Sequence, residues 1–327
     1  MEIIKYSENL KDEWDSFIKS SKNGTIFHSM KFLSYHGKDK FTDCSLVFRH
    51  KGRIASVFPA ALINKDGKLI LKSHPGASYG GPIFDTCAGL NAVVDVVDEI
   101  VGFAHEEGID YIDMRLSPRV FHKFPSEELE YVLWYKGFSI VNTELSSAVQ
   151  LMFETNESIV ENMRYNTKQP ARKAAENGVI FQESTDYKTF WEILKSNLQK
   201  HGATPTHTLN EILLLKELLP NSIKLFCSFK DSSMIAGTVV FIANSVACHT
   251  FYIAQDYDYQ FFRPLNHLLS ETIKWAHSEG FRFLNFGIST ESGGTIINPG
   301  LFRFKEGFGA YGTVRRYYRK DLLEDEV

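Results

Sequence analysis

Two stretches decide how this chain folds: Phe103-Ala-His-Glu-Glu-Gly-Ile-Asp-Tyr-Ile-Asp113 and Trp275-Ala-His-Ser-Glu-Gly-Phe-Arg-Phe-Leu-Asn285. They align at one offset, with Ala104/Ala276, His105/His277, Glu107/Glu279 and Gly108/Gly280 identical. Each reads as the last turns of a helix, a C-cap glycine, and then a short apolar strand. The echo continues upstream. Phe48-Arg-His-Lys-Gly-Arg-Ile-Ala55 and Phe229-Lys-Asp-Ser-Ser-Met-Ile-Ala236 both read strand, polar turn, strand, and Trp14 and Trp191 each open an amphipathic helix ahead of that hairpin.

A helix, an antiparallel meander and a helix that returns to lay down a parallel strand give a mixed sheet with helices on its faces. The order occurs twice, so the expected architecture is α/β with mixed sheets, in two like domains, residues 1–155 and 156–327, with a cleft between them. A period near half the chain is a duplication and not a solenoid, whose repeats run ~20–50 residues. A dinucleotide fold is excluded, because no Gly-rich turn follows a first strand.

The composition supports two cores: 327 residues, 43% hydrophobic, with 26 Phe and 14 Tyr. Cys44, Cys87, Cys227 and Cys248 stand singly, without the spacing of a zinc or redox motif, and read as small buried hydrophobes in a reducing, cytoplasmic setting. The opening stretch MEIIKYSENLKDEW lacks the basic-then-apolar pattern of a secretory signal. Met234 to Ala254 carries no Asp, Glu, Lys or Arg and approaches the ~20 residues of a spanning helix. Asn244-Ser245 interrupts it between flanks rich in β-branched and aromatic residues, so it reads as two buried strands, with no integral membrane segment.

A net charge of −4 offers no global basic field, and DNA is not an expected partner. Two local patches stand out: Arg164, Lys168, Arg172 and Lys173, and then Arg303, Lys305, Arg315, Arg316, Arg319 and Lys320. They are either phosphate-holding groups or a solvated helix face and a basic tail. Pro170 inside the first patch predicts a kinked or broken helix. The histidines show no ligand spacing, so no metal is expected.

Three motifs carry a family resemblance: Tyr79-Gly-Gly-Pro82, the basic segment Arg164-Tyr-Asn-Thr-Lys-Gln-Pro-Ala-Arg-Lys-Ala-Ala-Glu-Asn-Gly-Val179, and Leu301-Phe-Arg-Phe-Lys-Glu-Gly-Phe308. Over nearly its whole length the chain resembles the FemABX-like branch of the GNAT acyltransferases. The resemblance implies tandem GNAT domains and an N-acyltransferase that moves an acetyl or aminoacyl group onto an amine of a sugar, nucleotide-sugar or cell-envelope precursor. It implies acyl-CoA or aminoacyl-tRNA as co-substrate, no permanently bound cofactor, and a small-molecule or glycan-precursor acceptor, with tRNA as a partner in the aminoacyl case. The alternatives are an aminoacyl-tRNA-dependent ligase of the peptidoglycan type and a non-catalytic tandem module that binds a glycan or precursor.

The resemblance also implies site residues. Lys305, expected between Phe304 and Phe308 at a strand end, would steady the oxyanion of the tetrahedral intermediate, or else be a surface lysine whose stem lies over Phe. Phe304 would line the substrate site. Tyr252 and Tyr79 are phenols able to protonate a leaving group or to meet substrate, or else half-buried aromatics. Asp113 is either a base or the partner of Arg115. His28 either touches the acceptor or caps a helix, and Arg164 and Arg172 would hold phosphates. His201-Gly202 and Thr204-Pro-Thr-His207 form a loop able to close over substrate. A typical GNAT places a glycine-rich loop under the donor pyrophosphate. Here the loop reads Gln260-Phe-Phe-Arg-Pro-Leu-Asn-His267, whose Phe and Leu side chains are expected to obstruct that approach, leaving Arg263 and Asn266 as donor-binding candidates. Asn285 stands where the family's strand often carries Asp.

Overall fold

Gly108 and Gly280 both take left-handed backbone, with φ of 64° and 82°. Around each the same pair of bonds closes the helix: Gly108 N donates to His105 O at 3.1 Å and Ile109 N to Ala104 O at 2.9 Å, and Gly280 N donates to His277 O at 2.9 Å and Phe281 N to Ala276 O at 3.1 Å. The repeated glycine therefore stops a helix, and the repeated alanine, fully buried in both copies, lets that helix lie close on its sheet.

The computed structural model describes residues 1–37, 39–200 and 202–323. Two compact units emerge, one of Met1–Glu144, Ser292–Thr295 and the segment from Val314 onward, the other of Leu145–Glu291 and Ile296–Thr313.

The first unit runs β1 (Glu2–Lys5), α1 (Lys11–Ser20), α2 (Met30–Leu33), β2 (Thr42–Asp43), β3 (Leu46–His50), β4 (Arg53–Phe58), β5 (Ala60–Lys65), β6 (Lys68–Ser73), β7 (Ile83–Phe84), α3 (Leu90–Glu106), β8 (Tyr111–Arg115), α4 (Glu128–Tyr135) and the opening of β9 (Ser139–Gln150). Pro59 stands between β4 and β5, where the chain leaves one sheet, β1-β3-β4-β7, for another, β8-β6-β5-β2. The C-terminal residues Tyr317 to Asp321 pair antiparallel with β8. On α3, Val93, Val96, Val97, Ile100, Phe103 and Ala104 follow the helical period and pack with Leu71, Ile112, Met114 and Tyr318.

The second unit takes the rest of β9 and continues α5 (Asn156–Asn162), α6 (Tyr165–Glu176), β10 (Ile180–Ser184), α7 (Tyr187–Gln199), α8 (Leu209–Leu218), β11 (Ile223–Lys230), β12 (Ser233–Ile242), β13 (Ala247–Gln255), α9 (Pro264–Ser278), β14 (Phe283–Ile288), β15 (Thr290–Glu291), β16 (Ile296–Ile297), α10 (Pro299–Gly307) and the start of β17 (Ala310–Asp321). Its sheet has the order β10-β11-β12-β13-β14-β9. Trp14 in α1 and Trp191 in α7 are both buried. The two hairpins turn through Lys51-Gly52 and Asp231-Ser232, all four residues at positive φ as two-residue primed turns require. In each unit the helix bearing the repeated Ala-His precedes a strand laid parallel to an earlier one, β8 on β6 and β14 on β13.

Several expectations change. Met234 to Ala254 forms β12 and β13, as read, and among the described residues no helix is long and apolar enough to cross a membrane. Helix α6, however, runs unbroken through Pro170. Pro170 removes the N–H that would bond Asn166 O and crowds that carbonyl with its ring, yet the helix continues to Glu176. The Leu301 to Phe308 segment is helical as well, not a strand end: Asn298 Oδ1 accepts Leu301 N at 3.0 Å, and Pro299 occupies the first turn. Cys87 is exposed, unlike the other three cysteines.

Candidate functional site

A cavity of about 480 Å³ opens in the second unit. Three helices present their first turns to it: α6 through Asn166 and Thr167, α9 through Leu265 and Asn266, and α10 through Gly300. Arg164 and Arg263, the N-cap residues of α6 and α9, line it together with Arg303. The unpaired N–H groups of one helix start act together as roughly half a positive charge, so three such starts and three guanidinium groups make this wall attract anions. Arg164 is partly neutralised by Glu306 at 3.3 Å.

The local sequence explains the convergence. Pro264 supplies the fixed φ of a first helical position, and Arg263 before it adopts φ 56° and ψ 45°, left-handed backbone that glycine usually fills. Phe261 projects into solvent at 86% exposure, and Phe262 packs with Tyr259 beside Ala174, Val179 and Ile235. The expected obstruction by these phenylalanines is thus absent, and only Leu265 of the loop's bulky apolar residues reaches the cavity wall. A Cβ on Gly307 would lie 2.3 Å from Thr167 Oγ1, so glycine there lets α10 approach α6, where Gly307 O accepts Arg164 N at 2.9 Å.

On α10, Gly300, Arg303, Phe304 and Gly307 share the cavity face, whereas Lys305 points elsewhere. Its side chain is buried at 4% exposure and donates to Gly287 O at 2.9 Å and Ile288 O at 2.6 Å. Burial pushes this ammonium down to about 7. The two carbonyls lie where the sheet parts: β13 pairs with β14 only from Ala247↔Phe283 to His249↔Asn285, and β14 shifts register against β9 between Asn285 and Ile288. Asn285 is fully buried. Its Oδ1 accepts Gly287 N at 2.8 Å and its Nδ2 donates to Ser146 Oγ at 3.0 Å, so the amide is used at both ends where Asp would bury a charge.

Tyr252 lies in β13, its ring edge-on to Trp191 at 5.2 Å. Its hydroxyl accepts His207 N at 3.0 Å and meets His207 Nδ1 at 2.8 Å. Burial raises this phenol to about 12. His207 lines a second cavity, of about 400 Å³, with Trp191, Pro205 and Leu209. His201 lies outside the described residues.

In the first unit, His28 is completely buried; its Nδ1 accepts Thr25 N at 3.1 Å and its Nε2 faces Gly80 O at 3.3 Å. Burial lowers it to about 4, so this is a neutral capping histidine. Tyr79 packs edge-on against Phe27 at 5.2 Å and tilted against Phe121 at 5.1 Å, with its phenol raised by burial to about 12. Asp113 pairs not with Arg115 but with Arg319, whose Nε and Nη2 donate to its two oxygens at 2.7 and 2.8 Å, because Arg319 is its register partner on β17.

The fold thus gathers Arg164, Arg263, Asn266 and Phe304 at one cavity and leaves Arg172 off it, exposed and paired with Glu176 at 3.1 Å. Arg303, which the sequence offered only as a member of the second basic patch, lines the wall too, as does Gln255, which no sequence signal marked. The i, i+3, i+4, i+7 spacing of Gly300, Arg303, Phe304 and Gly307 is the signal that finds Arg303, once the segment is seen to be helical.

Residues 161–306 match the acetyltransferase (GNAT) domain family. No curated protein sequence matches the chain. FemX has a similar structure, with a TM-score of 0.75 at 13% identity over 99% of this chain and 98% of that one. The C-terminal domain of a putative lysylphosphatidylglycerol synthetase from Agrobacterium fabrum gives 0.61 at 13% identity over 97% and 93%. A tandem GNAT protein from the clavulanic acid biosynthesis pathway gives 0.54 at 8% over 98% of each chain. At such identities the likeness to these structures is one of fold. Residues 161–306 thus form an acetyltransferase (GNAT) domain, and over its length the chain shares the fold of FemX and of a tandem GNAT protein.

Proposed function

We propose that the second unit grips the phosphate-bearing end of an activated acyl donor in the arginine-lined cavity and passes the acyl group to an amine of a sugar, nucleotide-sugar or cell-envelope precursor. The observation that supports this is the meeting of Arg164, Arg263 and Arg303 with three helix starts on one cavity. The amine nitrogen attacks the acyl carbonyl, the leaving group departs with the bonding pair, and the amine's proton passes to solvent or a base. Lys305, anchored on the carbonyls of Gly287 and Ile288, keeps one N–H of its ammonium for the developing oxyanion.

Acyl-CoA is the first donor to test. Aminoacyl-tRNA is the second, favoured by the Gln260 to His267 loop, which sets a guanidinium where glycine would let a pyrophosphate approach the backbone. A lysylphosphatidylglycerol synthetase among the proteins of like fold suits an aminoacyl group as cargo. The test is the melting temperature of the full chain with acetyl-CoA. Saturation at 100 times the dissociation constant adds about 2.7 kcal/mol. The rise should vanish in Arg164→Gln/Arg263→Gln. No rise with acetyl-CoA but binding of an aminoacyl-tRNA moves the donor to tRNA; binding of neither leaves a non-catalytic module and overturns the proposal.

A further inference from the structure

One face of the first unit's sheet carries charge on alternate residues of three neighbouring strands. Lys72 lies on β6, Asp113 and Arg115 on β8, and Arg315 and Arg319 on β17, while Leu71, Ile112, Met114 and Tyr318 point the other way into the core with α3. Two of these cations are saturated. Arg319 is held bidentately by Asp113, and Arg315 Nε donates to Glu144 at 2.7 Å, which also accepts the Tyr317 hydroxyl at 2.7 Å.

Lys72 and Arg115 are not. Lys72 stands in register with Asp113, but both carboxylate oxygens there already accept from Arg319. Arg115 lies over the Tyr317 ring at 4.5 Å, with Arg315 at 5.6 Å from the same ring. Among the described residues neither side chain has an ion-pair or hydrogen-bond partner, although both are half-buried. Burial lowers the pKa of each and the neighbouring arginines lower it further, while Asp113 at Lys72 and Tyr317 and Glu144 at Arg115 offset this only in part. Two half-buried positive charges whose nearest carboxylates, Asp113 and Glu144, are engaged by Arg319 and Arg315 leave the face under-compensated, and an anionic ligand removes that cost. A guanidinium held over an aromatic ring beside a more adaptable ammonium suits a tetrahedral dianion.

We propose that Arg115 and Lys72 form a binding site for a phosphoryl group, with the Tyr317 ring supporting the guanidinium. None of these residues belongs to the arginine-lined cavity of the second unit. Identifying the ligand as a phosphorylated acceptor rests on the proposed acyl transfer; the phosphoryl site itself does not.

The test is calorimetric titration of inorganic pyrophosphate into the full chain at low salt. The Arg164→Gln/Arg263→Gln background silences the other cavity. There, one equivalent should still bind, and adding Lys72→Gln and Arg115→Gln should weaken it about tenfold or more, as expected for lost hydrogen bonds to a charged group. Arg172→Gln, on an exposed helix face, should change nothing. Unchanged affinity in the quadruple variant, or no binding in the background, overturns the proposal. If Arg115→Gln lowers the melting temperature, Lys72→Gln alone decides in the same way. Kinetics then separate the sources: a KM raised for the acceptor alone supports the acceptor as ligand, and a KM raised for the donor alone overturns that assignment. Pyrophosphate binding in a protein that shows no transfer supports the site while acyl transfer fails.

Discussion

Burial gives Lys305 a pH-dependent role in stability. In the unfolded chain its ammonium titrates near 10.5, and in the folded protein near 7. Below about pH 7 it is protonated in both states, and the full cost of burying the charge is present. Between those values the unfolded chain holds the extra proton, so stability rises with pH. Lys305→Met removes the effect. The melting-temperature difference between parent and variant should therefore move in the parent's favour from about pH 7 to about pH 9; a constant difference would contradict the lowered pKa. The same variant leaves two carbonyls without a donor, a loss of about 1–3 kcal/mol. If Lys305 also serves the oxyanion, kcat should fall about 10²–10³-fold with KM little changed, and Lys305→Arg should rescue little because a planar fork cannot reach both carbonyls in the same way. Turnover within threefold of the parent would confine Lys305 to pinning β14.

At the scale of elements, the start of α9 separates charge from backbone. Arg263 holds a left-handed conformation, so Arg263→Ala keeps the strain while losing the guanidinium, and Arg263→Gly loses both. Arg263→Gly should be the more stable of the two by about 1 kcal/mol in denaturant melts. If the side chain grips the donor, both should weaken donor binding equally; recovery in the glycine variant would mean that backbone approach decides. What the sequence disclosed here depended on range. Trp14, Trp191, the primed turns and the two glycine stops are signals contained within a few residues, and they located hairpins and helices. Helix α10 also had a local signal, Asn298-Pro299, but the aromatic alternation of Phe302, Phe304 and Phe308 resembled a strand, and the cap outweighs it. Asp113 was different, because its partner Arg319 lies 206 residues away and Arg115 was merely the nearest cation in sequence.

At the scale of the whole molecule, the duplication was legible because each copy repeats its own short-range stops and turns, and the likeness to FemX and tandem GNAT proteins bears out the resemblance drawn from the motifs. The return of the C-terminal residues to the first unit had no short-range signature. It carries a prediction about how the chain can be cut. Ending the chain after Thr313 keeps every residue of the second unit but removes Tyr318 and Leu322 from the first core, the ladder on β8, and the ion pairs of Arg315 with Glu144 and Arg319 with Asp113. Burying the two apolar side chains alone contributes about 1.5–3 kcal/mol each, against a typical domain stability of about 5–15 kcal/mol. Losing them together with a strand's hydrogen bonds and two ion pairs should leave the first unit unfolded. Calorimetry of the shortened chain should then show a smaller unfolding enthalpy, and limited proteolysis should cut within the first 144 residues while sparing 145–291. An unchanged enthalpy and a protease-resistant first unit would mean that the C-terminal strand decorates that sheet and does not hold it together.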